Sequence, residues 1–446
     1  WLPRFREAYR ALDQLARREA WSRAEIEAFQ LERLNATWAH ALDHVPHYRE
    51  LRGRVPTRFA GLDEFRAAVP LLSRGEVQAD PLRFLSERAG PGRWHRTTGS
   101  SGAAVHVFWS DRSHRAMLRG KYRFHAMWGV DVFDRTAFLW GSPADLTPGL
   151  AGRLTRVRVL LEDRLRNRIR LPAHRLGRDD LRRYLGRMAA HRTAWLYAYS
   201  TAAYLLAGEA EASGLGCDSL RLVTLSAEPA YPRIVSAVGR VFGVPVAVEY
   251  GSVECGFIAG TWPDGALRLR EDAVLVETRP RPDGRYNILV TVLDNPAFPL
   301  LRYALGDVTE APLEVPERGF ARLWDIAGRH NDLIVTRTGR PLHWAVFDLI
   351  LEPMAEVRCW RVLQLADGSL TVTVQPSQPG AGLDLDGLKR RLTELVEGYP
   401  VTVVAASDLP ATPGGKHRWI VSRHPDRTQD SVYVRRVAPG ELAKHR

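Results

Sequence analysis

Apolar positions recur every three to four residues over 8–20 and 23–42, a spacing that lines one helical face and predicts helices there. From about residue 105 the rhythm changes. Short apolar runs at 105–109, 135–140, 193–197, 221–225 and 245–250 predict strands, and stretches at 112–127, 178–190, 200–212 and 232–242 predict helices between them. Such alternation predicts βαβ units, hence an α/β fold with mainly parallel sheets flanked by helices. Between 273 and 310 short strands are broken by turns, Pro282-Asp283-Gly284 and Asp294-Asn295-Pro296, which predicts an antiparallel portion. Past Gly328 a compact α+β unit is expected, with strands at 360–364, 370–375, 402–405 and 419–421 and a helix at 386–397. The expected organisation is a large N-terminal domain, 1–328, and a small C-terminal domain, 329–446.

With 446 residues, two or more hydrophobic cores are the prior. No apolar run approaches the length of a bilayer crossing, so no membrane partner is expected. The chain begins at Trp1 rather than Met, as expected of a trimmed start, and no signal-peptide pattern follows it. Cys217, Cys255 and Cys359 stand far apart and fit neither a zinc site nor a disulfide framework, which makes the cytoplasm the expected compartment. The net charge of +12 invites a nucleic-acid reading. Its composition argues otherwise. Among 63 basic residues only Lys121, Lys389, Lys416 and Lys444 are lysines, and the arginines are spread along the chain like a coding bias. A lysine that persists here is a candidate for work that needs a compact ammonium on a slim stem.

Four segments carry candidate chemistry. Thr97-Thr98-Gly99-Ser100-Ser101-Gly102 combines two glycines with four hydroxyls before a strand, so its N–H groups can wrap phosphate oxygens. An ordinary polar loop has the same composition. Ala227-Glu228-Pro229 and Tyr250-Gly251-Ser252-Val253-Glu254 each follow a buried strand, at the sheet edge where α/β proteins bind ligands. Tyr250 can stack on a flat base and Glu254 can hold a metal ion; a core aromatic and a helix-start carboxylate are the plainer alternatives. Asp307, after a glycine turn, can accept both hydroxyls of a ribose, and Arg329 can bond an α-phosphate or that ribose, unless both are surface turn residues. Thr412-Pro413-Gly414-Gly415-Lys416 places a rare lysine on a flexible turn, where it can swing in to stabilise charge building at phosphorus.

In this order the segments resemble the adenylate-forming superfamily of acyl-CoA ligases, within it the phenylacetate–CoA ligase family and its CapK-like branch. The likeness also takes in 41–48, Leu139-Trp140-Gly141-Ser142, Tyr197-Ala198-Tyr199-Ser200, Gly328 to Leu333 and Gly339 to His343. It implies a C-terminal domain that rotates about a hinge near 329–332, ATP and Mg²⁺ as cofactors, and a carboxylic acid as substrate. Thr97, Thr98, Gly99, Ser100, Ser101 and Gly102 would hold the phosphates, and Ala227, Glu228, Pro229 and Tyr250 would frame the adenine. Glu254 would bind Mg²⁺, Asp307 the ribose with Arg329 beside it, and Lys416 would be the adenylation lysine.

There are departures. Ser100-Ser101 replaces a usual Thr-Thr, Ala103-Ala104 a lysine or proline region, and Leu305 a common threonine. His330-Asn331 and the 339–343 stretch differ from ordinary CoA ligases in a loop that helps build their thioester site. CoA is therefore the first expected acceptor and an amine the alternative. A catalytically silent homologue or a nucleic-acid-binding protein is the reading from another class, opposed by the intact Glu254, Asp307 and Lys416. Arg164, Arg166, Arg168 and Arg170 sit at period two, as on the solvated face of a strand, and also as a patch for the phosphates of CoA. For the acid pocket the candidates by position are His95, Phe108, Trp140, Tyr197 and Tyr199, with an aromatic or heteroaromatic acid favoured.

Overall fold

A computed structural model describes residues 12–97, 105–131, 133–141, 159–173, 176–282 and 284–424, apart from 325, 330–332, 339–340, 344–346, 348–349, 352–353, 379–381 and 410–417. The long helix α1 (Arg23–His44) starts at a capping box, in which Ser22 accepts from the Glu25 N–H and Glu25 reaches back. It buries Ile26, Leu34, Trp38 and Ala41 along one stripe, and Pro46 follows its end. The short α2 (Arg74–Ala79) begins at a second capping box, Ser73 with Glu76. A hairpin of β1 (Gly92–Arg96) and β2 (His106–Ser110) brackets the glycine–serine loop and runs into α3 (Asp111–Met127).

The sheet that positions the site follows. Its strands are β3 (Thr136–Trp140), β4 (Arg168–Pro172), β5 (Trp195–Tyr199), β6 (Leu222–Ser226) and β7 (Val246–Ser252). Helices α4 (Arg178–His191), α5 (Ser200–Ser213) and α6 (Pro232–Phe242) connect them. The start and stop of α6 are local: Pro232 opens it, and Gly243 at φ 65° closes it. Next come β8 (Gly256–Thr261), β9 (Leu267–Leu269), β10 (Val274–Pro280), β11 (Tyr286–Val292), β12 (Tyr303–Thr309), β13 (Arg322–Leu323) and β14 (Ile326–Arg329).

Among the described residues the main sheet has eight strands in the order β13-β9-β8-β7-β6-β5-β3-β4. The half from β4 to β7 is parallel, and the half from β8 to β13 is antiparallel. Its two faces separate by the period of two. Leu196, Ala198, Val223 and Leu225 pack with α4, α5 and α6, while Trp195 and Tyr197 face Phe124 and His125 of α3. The antiparallel portion expected at 273–310 is a four-stranded sheet, β10-β11-β12-β14.

Beyond it lie the β15 (Leu333–Val335) and β16 (Pro341–His343) ribbon, then β17 (Val357–Gln364), β18 (Leu370–Pro376), α7 (Leu385–Leu395), β19 (Val401–Ala405) and β20 (Ile420–Ser422). The order β19-β18-β17-β20 makes a four-stranded sheet with α7 packed on β19. The apolar cluster around α4–α6 continues into Trp360 and Trp419, and the Arg233 guanidinium lies over both Tyr204 and Trp419, at 5.4 and 5.1 Å.

One expectation needs correction. The basic run at 164–170 is not the solvated face of one strand. Residues 159–165 are helical, the strand begins at Arg168, and both strand arginines are engaged. Arg168 and Arg170 lie over the Phe138 ring at 5.0 and 5.8 Å, and Arg170 Nε donates to Asp163 at 2.5 Å. Among the described residues no helix is long and apolar enough to cross a membrane.

Candidate active site

Parallel pairing brings the sequence motifs to one edge. Tyr199 is in register with Ser226 and Ser226 with Glu249, so β5, β6 and β7 end together. That carboxyl edge is where open α/β sheets take ligands. At the end of β6 the chain turns through Ala227, whose φ of 67° is left-handed. Glu228 then meets the start of α5, a helix whose N-cap Tyr199 offers no side-chain hydrogen bond. Its carboxylate accepts from the Thr201 N–H at 2.9 Å, and its carbonyl accepts from Ser200 Oγ at 3.2 Å. The acidic side chain of this motif thus serves the helix N-terminus, a favourable place for negative charge.

Tyr250 and Asp307 are brought together from different sheets: the tyrosine hydroxyl donates to Asp307 Oδ2 at 2.8 Å. Asp307 follows Gly306, at φ 86°, on β12, and stands opposite Arg329 in the β12–β14 register. The base-stacking, ribose and phosphate candidates therefore share one neighbourhood through their backbones.

After β7 the hairpin is tight. A Cβ on Gly251 would lie 2.3 Å from the Gly256 carbonyl, so only glycine fits there. Ser252 Oγ accepts from the Cys255 N–H at 2.9 Å, and Trp109 Nε1 donates to the Val253 carbonyl at 3.1 Å. These contacts fix Glu254, which is buried. Burial, then the neighbouring Glu254 charge, push the Cys255 thiol well above its ordinary range and leave it inert.

Sequence reasoning missed the partner of Glu254. Arg74, at the start of α2, donates through Nη1 to Glu254 Oε1 and through Nη2 to Thr97 Oγ1, the latter at 3.2 Å. Thr97 in turn holds both ends of the glycine–serine loop: its N–H donates to the Val105 carbonyl at 3.0 Å, and its hydroxyl accepts from the Val105 N–H at 2.9 Å. The Ser73-Arg74-Gly75-Glu76 capping box marks a helix start in the sequence, but nothing local says what Arg74 reaches. Glu254 Oε2 is buried with no hydrogen-bond partner among the described residues. One hard cation held by a single carboxylate and phosphate oxygens is how Mg²⁺ binds nucleotides, and the bare oxygen fits that group. No cluster of three metal-ligating side chains occurs among the described residues.

A second buried carboxylate stands five residues earlier. Glu249 Oε1 takes Lys121 Nζ at 2.5 Å, Tyr197 OH at 3.0 Å and Ser226 Oγ at 3.4 Å, while Oε2 has no partner among the described residues. Lys121 also donates to the Tyr197 oxygen at 3.3 Å. Burial lowers the Lys121 pKa, and the adjoining Glu249 charge more than reverses this, so the ammonium is held charged. Burial pushes Tyr197 up to about 12. His125, one turn beyond Lys121, is driven well below its usual range by burial and then by the lysine charge. Of the pocket candidates, Trp140, Tyr197 and Tyr199 do form one layer: Trp140 lies 3.9 Å from Tyr199 and 5.4 Å from Tyr197. His95 instead stacks with His114, and Phe108 packs on Trp94.

Thr98, Gly99, Ser100, Ser101, Gly102 and Lys416 lie outside the described residues, and of Arg329 only the backbone is placed. The arginine excess is less diffuse than expected. Arg33, Arg88, Arg112, Arg115 and Arg119 line a groove of about 1370 Å³ between α1 and α3, with Asp111 and Asp294 on its walls.

No family model matches the chain. It is similar to a phenylacetate–coenzyme A ligase of Thermus thermophilus, 23% identical over 90% of this chain and 98% of that one. Among solved structures it is similar to 2-hydroxyisobutyryl-CoA ligase in the postadenylation state with R3-HIB-AMP, with a TM-score of 0.70, 21% identity and 91% of each chain covered. Against the same ligase with 2-HIB-AMP and CoA in the thioesterification state the TM-score is 0.60, at 20% identity and 92% of each chain. Full-length likeness and a shared fold together place the chain in the adenylate-forming superfamily.

Proposed function

We propose that the chain is an ATP-dependent ligase that activates a carboxylic acid as its acyl-adenylate. The observation that carries this is the convergence at one sheet edge of Tyr250 bonded to Asp307 and of Thr97 and Glu254 joined by Arg74. A base, a ribose and a phosphate chain need an aromatic face, a hydroxyl acceptor and a charged phosphate end in that succession. A carboxylate oxygen bonds to the α-phosphorus, the bond to the β-phosphate oxygen breaks, and pyrophosphate leaves. In this reading Thr97 to Gly102 hold the phosphates, and Ala227, Pro229 and Tyr250 border the base. Asp307 takes the ribose hydroxyls with Arg329 beside it, and Lys416 stabilises charge at the α-phosphate. Glu254 would hold Mg²⁺, which neutralises phosphate charge. The C-terminal unit, 329–446, would turn about residues 329–332 between the two half-reactions. A cytoplasmic setting and a CapK-like branch belong to the same proposal.

CoA is the acceptor favoured, because the full-length relative is named a CoA ligase. The departures at His330-Asn331 and 339–343 support the alternative, transfer to an amine. Acid-dependent exchange of label between pyrophosphate and ATP tests the first half-reaction, and its absence across a broad acid panel removes both readings. Where exchange occurs, thioester or amide detected by mass spectrometry after adding CoA or amines decides the acceptor. A nucleic-acid role would need the arginine groove; binding there is expected to be weak and to fall steeply with salt.

A further inference from the structure

Glu249 is the end of a one-way chain of protons. Lys121 can only donate, and it donates to Glu249 and to the Tyr197 oxygen. Tyr197 passes its own proton to Glu249, and Ser226 adds another hydroxyl. All three donors converge on Oε1. Oε2 is bare and buried, in a side chain only 3% exposed. An ionised carboxylate oxygen left unpaired inside protein is unfavourable by more than a neutral group would be, so the arrangement wants one more donor. Because every group around it already points its protons inward, a ligand there must donate rather than accept.

The surroundings say what kind of molecule carries the donor. Tyr197 bridges the carboxylate and a layer of rings: Phe138 stacks on it at 4.9 Å and 9°, and Trp140 lies beside it. Phe138 and Trp140 are only partly buried, so flat apolar surface is reachable next to the buried charge. Glu249 directly precedes Tyr250, which sets this layer beside the residues read above as the nucleotide site. An apolar wall with one charged acceptor is the pattern of a small-molecule pocket in which a single polar contact fixes identity.

The geometry points to an acid substrate that is an aromatic carboxylic acid bearing an amino or hydroxyl group, with that group donating to Glu249 Oε2. The inference rests on the adenylation reading for the word substrate, but the pocket is testable without it. A site with a buried acceptor rejects a ligand lacking the donor more strongly than a missing methyl would explain, because the acceptor is then left dry.

The test uses the full chain and matched ring acids: the amino- and hydroxybenzoates against the methylbenzoates of the same substitution pattern. Dissociation constants come from the fluorescence of Trp140 and Trp195, and ATP–pyrophosphate exchange is run in parallel. At least one donor-bearing isomer should bind about tenfold or more tighter than its methyl counterpart. The margin should fall to about twofold or less in Glu249→Leu combined with Lys121→Met, a pair that leaves no lone buried charge. Glu249→Gln, close in shape, should also shrink it and guards against a double variant that does not fold. Equal binding of both series overturns the inference, as does a margin that both variants preserve, or failure of every acid to bind. If the margin is present and Glu249-dependent while exchange is absent for all acids, adenylation fails and the pocket stands. Exchange that runs as well with the methylbenzoates leaves adenylation and removes the pocket.

Discussion

Glu249 and Glu254 sit on one strand and the turn that follows it, both buried, and each gives one oxygen to a cation and keeps the other bare. Their cations differ in kind and in origin. Arg74 is a planar fork that reaches Glu254 and the loop residue Thr97 at once, from a short helix far back in the chain. Lys121 is a point charge from α3 that ties Glu249 to a tyrosine in an aromatic layer. The same side chain thus faces a polyanion on one side of Tyr250 and apolar surface on the other. Environment separates their duties, as it does wherever two like carboxylates share a site.

The comparison breaks first at Glu254. Glu254→Gln keeps the volume and removes the charge, and should lower the exchange rate by about 10²–10³-fold, while acid binding by tryptophan fluorescence stays near its native value. Lys416→Ala should fall in the same range with folding unchanged by circular dichroism. If either variant exchanges normally, its assigned role is wrong. On the other side, Lys121→Met alone strands a buried carboxylate and should destabilise the protein by about 3 kcal/mol in urea unfolding. The double replacement with Glu249→Leu should recover most of that, and a double variant as unstable as the single one would show that the pair does not act as a unit.

A smaller effect concerns protons. His125 is kept neutral in the folded protein, its pKa depressed below the usual 6.5. Below that value the unfolded chain binds a proton that the folded chain refuses, so stability falls as pH drops through 6.5. The slope approaches about 1.4 kcal/mol per pH unit for this one group. Urea midpoints at pH 7.5 and 5.5 should show the loss, and His125→Phe should reduce it; an unchanged difference would exclude the histidine as a source. Smallest of all, alanine at both Arg164 and Arg166 should change the apparent affinity for CoA by about twofold or less, as for other exposed charges. A larger change would return the basic run to the acceptor site.

Much of the main sheet is legible in the chain because its signals are local. The run at 221–225 and the proline-to-glycine span of α6 announce a strand and a helix within a dozen residues. The order of motifs carries Tyr250, Glu254 and Asp307 to a common edge without any structure. Arg74, Lys121 and the carboxylate of Glu228 escape that reading for one reason. Each acts on a partner that only tertiary pairing brings near, 180 residues away for Arg74 and Glu254 and 27 for Glu228 and Thr201. Lysine scarcity flagged Lys416 but equally described Lys121, and composition alone does not rank them. The pairing of β1 with β2 also went unread, since Arg93 and Arg96 break the apolar run that marks a strand.

Ala227 has a consequence for how this sequence is free to drift. It holds a left-handed backbone with a Cβ attached, at the turn that ends β6, and L-residues other than glycine, asparagine and aspartate resist that conformation. Single-base changes of an alanine codon reach valine, threonine, proline, serine, glycine, aspartate or glutamate. Valine and threonine are stiff at χ1 and poorly suited to positive φ, and proline is barred outright by its ring. Glycine would relax the turn but also loosen the unfolded chain. The genetic neighbourhood of this position is therefore narrow, and a mutational library should return few active members there although the side chain is only a methyl.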